Sequence, residues 1–239
     1  MESAKAVETP RGLGTALRRK HTRAWKAISS FGVLLCVGSC GDSGTFVPPQ
    51  FVAQIISDFR FDGDIEQTSA TSFIVTQGMS SSIQTVLAGI DPTTGHEFRA
   101  FLNFPLSGPN GVPLNAFIDS AFLEILVDDL IPRTGSVPIR VELVAFQPPT
   151  LIASDFDRTA LPPLGAVLVA GGVTPADISQ FVAVDVTPLM IQAQQRGLID
   201  FQVRIMQDLG PPIFTLMVID NTIQADRPQR APLLTVTYH

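Results

Sequence analysis

Cysteine is scarce. The 239 residues hold two, Cys36 and Cys40, and none follows them. A disulfide framework for the body of the chain is thereby excluded, and a Cys-x3-Cys pair without further ligands is a poor zinc site. Lysine stops at Lys26. Of the 16 basic residues, seven precede residue 40 (Lys5, Arg11, Arg18, Arg19, Lys20, Arg23, Lys26); of the 22 acids, only Glu2 and Glu8 do. The nine basic and twenty acidic residues that remain give the body a net charge of −11, so the formal −6 averages a basic leader with an acidic body. Such a body lacks the Lys/Arg contacts that phosphate backbones require, and no nucleic-acid partner is expected. After the leader, histidine is reduced to His96 and His239, and no Gly-x-Ser-x-Gly elbow, phosphate loop or zinc-ligand spacing is present. Nothing singles out a carboxylate pair facing one cleft. The chain therefore reads as non-catalytic. Tryptophan occurs once, as Trp25, and tyrosine once, as Tyr238, so a broad Trp/Tyr platform is missing from the body.

Long apolar runs are also missing. The most apolar stretch near the start, residues 28–37, is too short to span a bilayer, which takes about 20 residues. It follows the cluster Arg18, Arg19, Lys20, Arg23, Lys26 and ends in Val37-Gly38-Ser39-Cys40. A basic region, a short apolar core and small residues before a cysteine resemble a secretory leader with a lipobox. Residues 1–39 are then the signal peptide, Cys40 the lipidated first residue of the mature chain, and residues 40–50 a tether with flexible Gly41-Asp42-Ser43-Gly44 and stiff Pro48-Pro49. Diacylglyceryl and N-acyl chains together would give stable anchoring, which one chain does not. Cys36 is the poorer candidate because Leu35 precedes it. Gly41 after the cysteine favours the outer membrane over the inner. The expected address is thus the cell envelope, with the membrane as partner through Cys40.

What the body does have is alternation. Residues 120–128 place Ala121, Leu123, Ile125 and Val127 on one face, with Glu124 and Asp128 on the other. Residues 138–146 repeat this with Ile139, Val141, Leu143 and Ala145 against Arg140 and Glu142, and residues 199–206 with Ile199, Phe201, Val203 and Ile205 against Asp200, Gln202 and Arg204. Further strands are expected at 51–56, 72–77, 84–88, 97–104, 213–219 and 233–238, separated by Pro/Gly-rich turns. Residues 57–72 are polar and acidic and read as a loop or irregular hairpin. One helix is expected at 188–196, with Thr187 as N-cap, Pro188 in its first turn and Gly197 as its stop. It should close one end of the sandwich. The fold class is all-β: residues 51–239 form a jelly-roll β-sandwich of two antiparallel sheets with one short helix.

The order of four motifs resembles DNRLRE-type domains. Phe98-Arg99-Ala100-Phe101-Leu102-Asn103-Phe104 is similar to that family's R-x-x-L-x-F-x-L strand, and Ile118-Asp119-Ser120-Ala121-Phe122-Leu123-Glu124-Ile125 to its I-x-S-A-x-L-x-L strand. Val184-Asp185-Val186-Thr187-Pro188-Leu189 resembles the W-D-V-T-x-L entry into a helix, and Pro232-Leu233-Leu234-Thr235-Val236-Thr237-Tyr238 the closing P-x-L-x-V-x-Y. The likeness covers roughly residues 95–239. The family's central W-x-x-G-x-V-x-W stretch has no counterpart in residues 154–169, and Val184 stands where an aromatic is usual. The resemblance implies a carbohydrate-binding-module-like jelly roll on an extracellular or surface protein.

A sugar platform needs an exposed π-face with polar groups around it. Tyr238 is expected to be buried in the closing strand. The candidates that remain are Phe146, Phe156 and Phe181, for which the alternative is plain core or edge packing. Asp58, Asp62, Asp64 and Glu66, around Gly63, are candidate ligands for a structural Ca2+, although the spacing is not an EF-hand and a solvated acidic loop is the alternative. Asp155 and Asp157 form a weaker candidate. The leading functional expectation is adhesion or glycan binding by a surface or periplasm-facing lipoprotein, with polysaccharide as partner. The alternative is a structural or assembly lipoprotein that contacts envelope proteins; a divergent hydrolase ranks third.

Overall fold

A computed structural model describes residues 48–147 and 149–239. The expected signal peptide, Cys40 and most of the tether lie outside the described residues.

The alternating segments form antiparallel strands: β1 (Phe51–Ile56), β2 (Gly63–Ser69), β3 (Ser72–Gln77), β4 (Thr85–Ile90), β5 (Glu97–Pro105), β6 (Ile118–Ile131), β7 (Ile139–Val144), β8 (Gly165–Leu168), β9 (Gln180–Asp185), β10 (Asp200–Gln207), β11 (Leu216–Asp220) and β12 (Leu233–Tyr238). Helix α1 (Thr187–Gln195) precedes β10, and the one-turn helix α2 (Arg227–Arg230) precedes β12. Hydrogen bonding runs without a break in the order β1-β12-β6-β11-β4-β5-β10-β7-β8, with β9 added on β6 and the β2–β3 hairpin added on β5. The fold is all-β as expected, consistent with a jelly-roll sandwich, and its two layers are joined in one ladder that curls on itself. The 14-residue β6 makes the turn. Its first half pairs with β12, its middle with β9 and its last residues with β11, where the register slips between Val218 and Ile219. A bulge of this kind bends a strand and lets it serve two layers.

Inward residues of the alternating strands meet in the main core. Leu123, Ile125 and Val127 of β6, Ile139, Val141 and Leu143 of β7, Phe201, Val203 and Ile205 of β10, and Leu102 and Phe104 of β5 are all buried there. Helix α1 adds Leu189, Met190 and Ala193. Its start differs from expectation. Val186, not Thr187, is the N-cap residue, and no side chain caps the helix. The Thr187 hydroxyl instead accepts from the backbone N–H of Ala121, 2.8 Å away, while Asp185 accepts from the N–H of Thr187 at 2.9 Å. The Asp-x-Thr sequence thus pins the β9–α1 junction onto β6.

Gly89, inside β4, is required by both conformation and space. Its φ is +118°, and a Cβ there would stand 2.3 Å from the carbonyl oxygen of Thr215 on the connection into β11. Gly89→Ala is expected to destabilise the domain by about 1–3 kcal/mol, seen as a lower urea midpoint at unchanged slope.

Candidate functional site

The acidic segment is not a solvated loop. Asp62 and Asp64 are buried, and residues 63–69 are a strand of the β2–β3 hairpin, laid on β5 in register Gly63↔Phe101 to Gln67↔Glu97. Each of the four candidate calcium ligands has a different employer. Asp58 is held by Arg60, whose Nε is 2.9 Å away; that hydrogen bond keeps its carboxyl below the usual carboxylate range. Asp62 accepts from the backbone N–H of Asn103 at 2.9 Å and the side-chain amide of Asn221 at 3.0 Å, with Arg227 3.8 Å away. Asp64 accepts from the N–H of Leu87 at 3.2 Å. Glu66 lies 2.6 Å from Nδ1 of His96. Burial pushes the carboxyls of Asp62 and Asp64 each up to about 7. Among the described residues no group of three or more His, Cys, Asp or Glu side chains stands where it could hold a metal ion, so the four are not brought into one donor set. The weaker pair is also dispersed: Asp155 accepts from the N–H of Ile152, and Asp157 from Thr159.

Arg227 explains why this segment is buried. Its guanidinium donates to Asn221 Oδ1 at 2.9 Å, to the Thr222 carbonyl at 2.8 Å and to the Ser57 carbonyl at 2.5 Å, and stands over the Phe59 ring. The loop after β1 is thereby latched to the segment after β11.

Two of the three candidate aromatics are interior. Phe146 packs edge-on against Phe101, and Phe156 lies beneath the Arg99 guanidinium, 3.8 Å from its ring centre. Together with Ile65, Val144, Leu151 and Leu161 they form a second apolar cluster on the outer face of the β5–β10–β7 layer, covered by the chain between β7 and β8. Beneath that cover lies a polar group that the alternation pattern assigns to the outward face but not to the interior. Arg204 and Glu142 are both fully buried, with Glu142 Oε2 2.6 Å from Arg204 Nη2, and Arg158 donates to Oε1 at 3.0 Å. Gln202 donates to Asn103 at 2.8 Å. Arg158, and the backbone N–H of Phe146, which donates to Gln202 Oε1 at 2.9 Å, staple the covering segment to these buried groups of the sheet.

Phe181 alone of the three is exposed, at 48%. It sits on β9 opposite Leu126 of β6, four residues beyond Phe122, which is also exposed and pairs with Asp185. The two rings are thus about 14 Å apart along the sheet, at ~3.4 Å per residue. They flank a groove of ≈ 480 Å³ whose other walls include Leu168, Gly172, Asp177 and Asp185. The Thr187 hydroxyl and N–H beside Asp185 hold its carboxyl below the ordinary range, so that wall is anionic. Sequence alternation could have found Phe122, since it lies opposite the inward face of β6. Tyr238 is only partly buried, and Phe51 stacks on it at 5.8 Å. Among the described residues no helix is long and apolar enough to cross a membrane.

Compared with known proteins, the chain matches no family model, and no curated protein matches it.

Proposed function

We propose that this chain is a non-catalytic binding module held to the cell envelope by acyl chains on Cys40, and that the Phe122–Phe181 groove takes an extended polysaccharide. The observation that carries the reading is the pair of exposed phenylalanines on adjacent strands. Two apolar faces separated along one groove suit two sugar rings of one chain, and Asp185 and Asp177 offer acceptors for hydroxyl groups between them. Support also comes from the four motifs similar to DNRLRE-type domains, which fall in order on β5, β6, the β9–α1 junction and β12.

Retention on a panel of envelope and plant polysaccharides tests it. Phe181→Ala and Phe122→Ala should each weaken retention about tenfold, equivalent to ~1.4 kcal/mol, with the domain still folded and only a modest fall in thermal midpoint, because each ring is about half exposed. Absence of retention on any polysaccharide or cell-wall preparation sinks the glycan reading.

One feature favours the assembly alternative. Among the described residues β9 pairs with β6 alone, so its other edge is open to an added strand from another protein. If the same two variants release a co-purifying envelope protein and leave glycan retention unchanged, the groove is a protein interface.

A further inference from the structure

Large apolar side chains are exposed together at the end of the domain where the tether enters. Phe51, Val52, Leu114, Phe117 and Ile199 are each more than half exposed. They come from three separate parts of the chain, the start of β1, the β5–β6 connection and the α1–β10 turn, yet they converge around the close of β12. The Phe51 ring stacks on Tyr238, Phe117 packs on the His239 ring at 4.9 Å, and the main chains of Phe117 and His239 exchange hydrogen bonds of 2.8 and 3.0 Å. Leu114, Ile199 and Tyr238 line one shallow cavity of ≈ 370 Å³. Apolar residues scattered singly need no explanation, whereas a contiguous exposed group marks a contact surface.

What covers it follows from where the chain goes. Phe51 stands eleven residues after Cys40, and the ten residues between reach at most about 35 Å when fully extended. Acyl chains at Cys40 would keep a bilayer within that reach of this rim. Aromatic and leucine side chains at a bilayer–water boundary are stabilised by burying apolar surface among headgroups. The rim has no lysine, and its neighbours His239 and Asp119 lie 3.0 Å apart as a pair, so attraction to anionic lipid has little part.

We infer that the rim formed by Phe51, Leu114, Phe117 and Ile199 docks onto the lipid surface, seating the domain on the membrane instead of leaving it free on its tether. The inference rests on the lipidation of Cys40 and makes that anchor a two-point attachment.

The body contains no tryptophan, which makes a clean probe available. In a Trp25→Phe background, the full chain is expressed, extracted and placed in phosphatidylcholine vesicles with either Phe117→Trp or Phe181→Trp. The Phe117→Trp emission should shift to the blue and be quenched by brominated phosphatidylcholine, while the Phe181→Trp emission changes little. Equal and weak quenching of both probes overturns docking. So does a Phe117→Trp probe that is shielded from acrylamide before any lipid is added, since another copy or another part of the chain then covers the rim. The mass of the mature N-terminus decides the anchor separately. If Cys40 carries no acyl group, that reading fails by itself. Sedimentation of the unacylated chain with the same vesicles then still tests the rim: binding that falls at least fivefold in Leu114→Asp and Phe117→Asp supports docking, and no binding in the parent chain refutes it.

Discussion

Glu142→Ala should destabilise the domain by about 3–5 kcal/mol, as expected when one partner of a buried ion pair is removed. The carboxylate lies between two guanidiniums. Its Oε2 is 2.9 Å from Nε and 2.6 Å from Nη2 of Arg204, and its Oε1 is 2.8 Å from Nη2 of Arg158. Arg204 has no exposed surface, and it also donates to the carbonyls of Asp155 and Leu161 in the covering segment. Burial already pushes the Arg204 guanidinium below its ordinary range, with Glu142 the main opposing influence. Without Glu142 a cation stays under the cover with carbonyls as its only partners. Urea unfolding should show a lower midpoint, and limited proteolysis should cut first between β7 and β8, because the cover is what the pair fastens. A double replacement, Glu142→Leu with Arg204→Met, should recover most of the loss, since apolar substitutes of similar size escape the desolvation cost. A Glu142→Ala variant that unfolds within about 0.5 kcal/mol of the parent, the scatter of ordinary surface changes, would show that the pair contributes nothing.

The same pair marks the boundary of what the sequence discloses. Alternation assigns Glu142 and Arg204 to the face opposite Val141 and Val203, and the structure agrees. It cannot say that a segment folds over that face, because the contacts Arg204–Asp155 and Arg204–Leu161 join residues 49 and 43 positions apart. Phe146 and Phe156 fall to the same limit. They stand outward of the sheet or in a connection, as expected of candidate platform residues, and are buried by the cover they belong to. Residues 57–72 read as a loop or irregular hairpin because acidic residues are poor strand formers, and the hairpin is the form taken: β2 pairs with β3, although Asp64 and Glu66 lie in it and Asp62 just before it. They are tolerated because Asn103, Asn221, Leu87 and His96 supply partners from as far as 159 residues away. Local signals are sufficient in β1, β3 and β12, whose bounds match expectation residue for residue: inward residues mark β1 and β12, and the apolar run Phe73-Ile74-Val75 marks the largely uncovered β3. Thr187 shows a milder failure: the right type stands beside the helix start, but its hydroxyl serves β6. Phe181 is the one proposed aromatic that reaches solvent, and its companion Phe122 was legible only as an outward position on β6.

Stability should fall as pH rises from about 4 to about 7, the reverse of the trend for salt-bridged carboxylates. Asp62 and Asp64 are the cause. Desolvation lifts each carboxyl to about 7, against hydrogen bonds from Asn103 and Asn221 to Asp62 and from Leu87 to Asp64 that pull down, and the neighbouring Glu66 adds to the rise at Asp64. In the unfolded chain an aspartate titrates near 3.9. Between those values the folded domain holds protons that the unfolded chain has released, so raising the pH favours unfolding. Below about pH 4 both states are protonated and the contribution is fully present; above about 7 it is gone. Three units at 1.36 kcal/mol each set a ceiling of about 4 kcal/mol per group. The lowered carboxyls, Asp58 and Asp185 among them, act only at lower pH. Urea midpoints should therefore be higher at pH 5 than at pH 8. Asp64→Asn keeps an oxygen for the Leu87 N–H and carries no charge, so it should raise the midpoint at pH 8, leave pH 5 nearly unchanged and flatten the profile. A structural Ca2+ on Asp62 and Asp64 predicts the opposite sign. Ionised ligands would then hold the metal, millimolar Ca2+ would stabilise the domain at pH 8, and Asp64→Asn would abolish that gain. One titration, run with Ca2+ and with chelator, thus separates two desolvated carboxyls from a metal site by the direction of its slope.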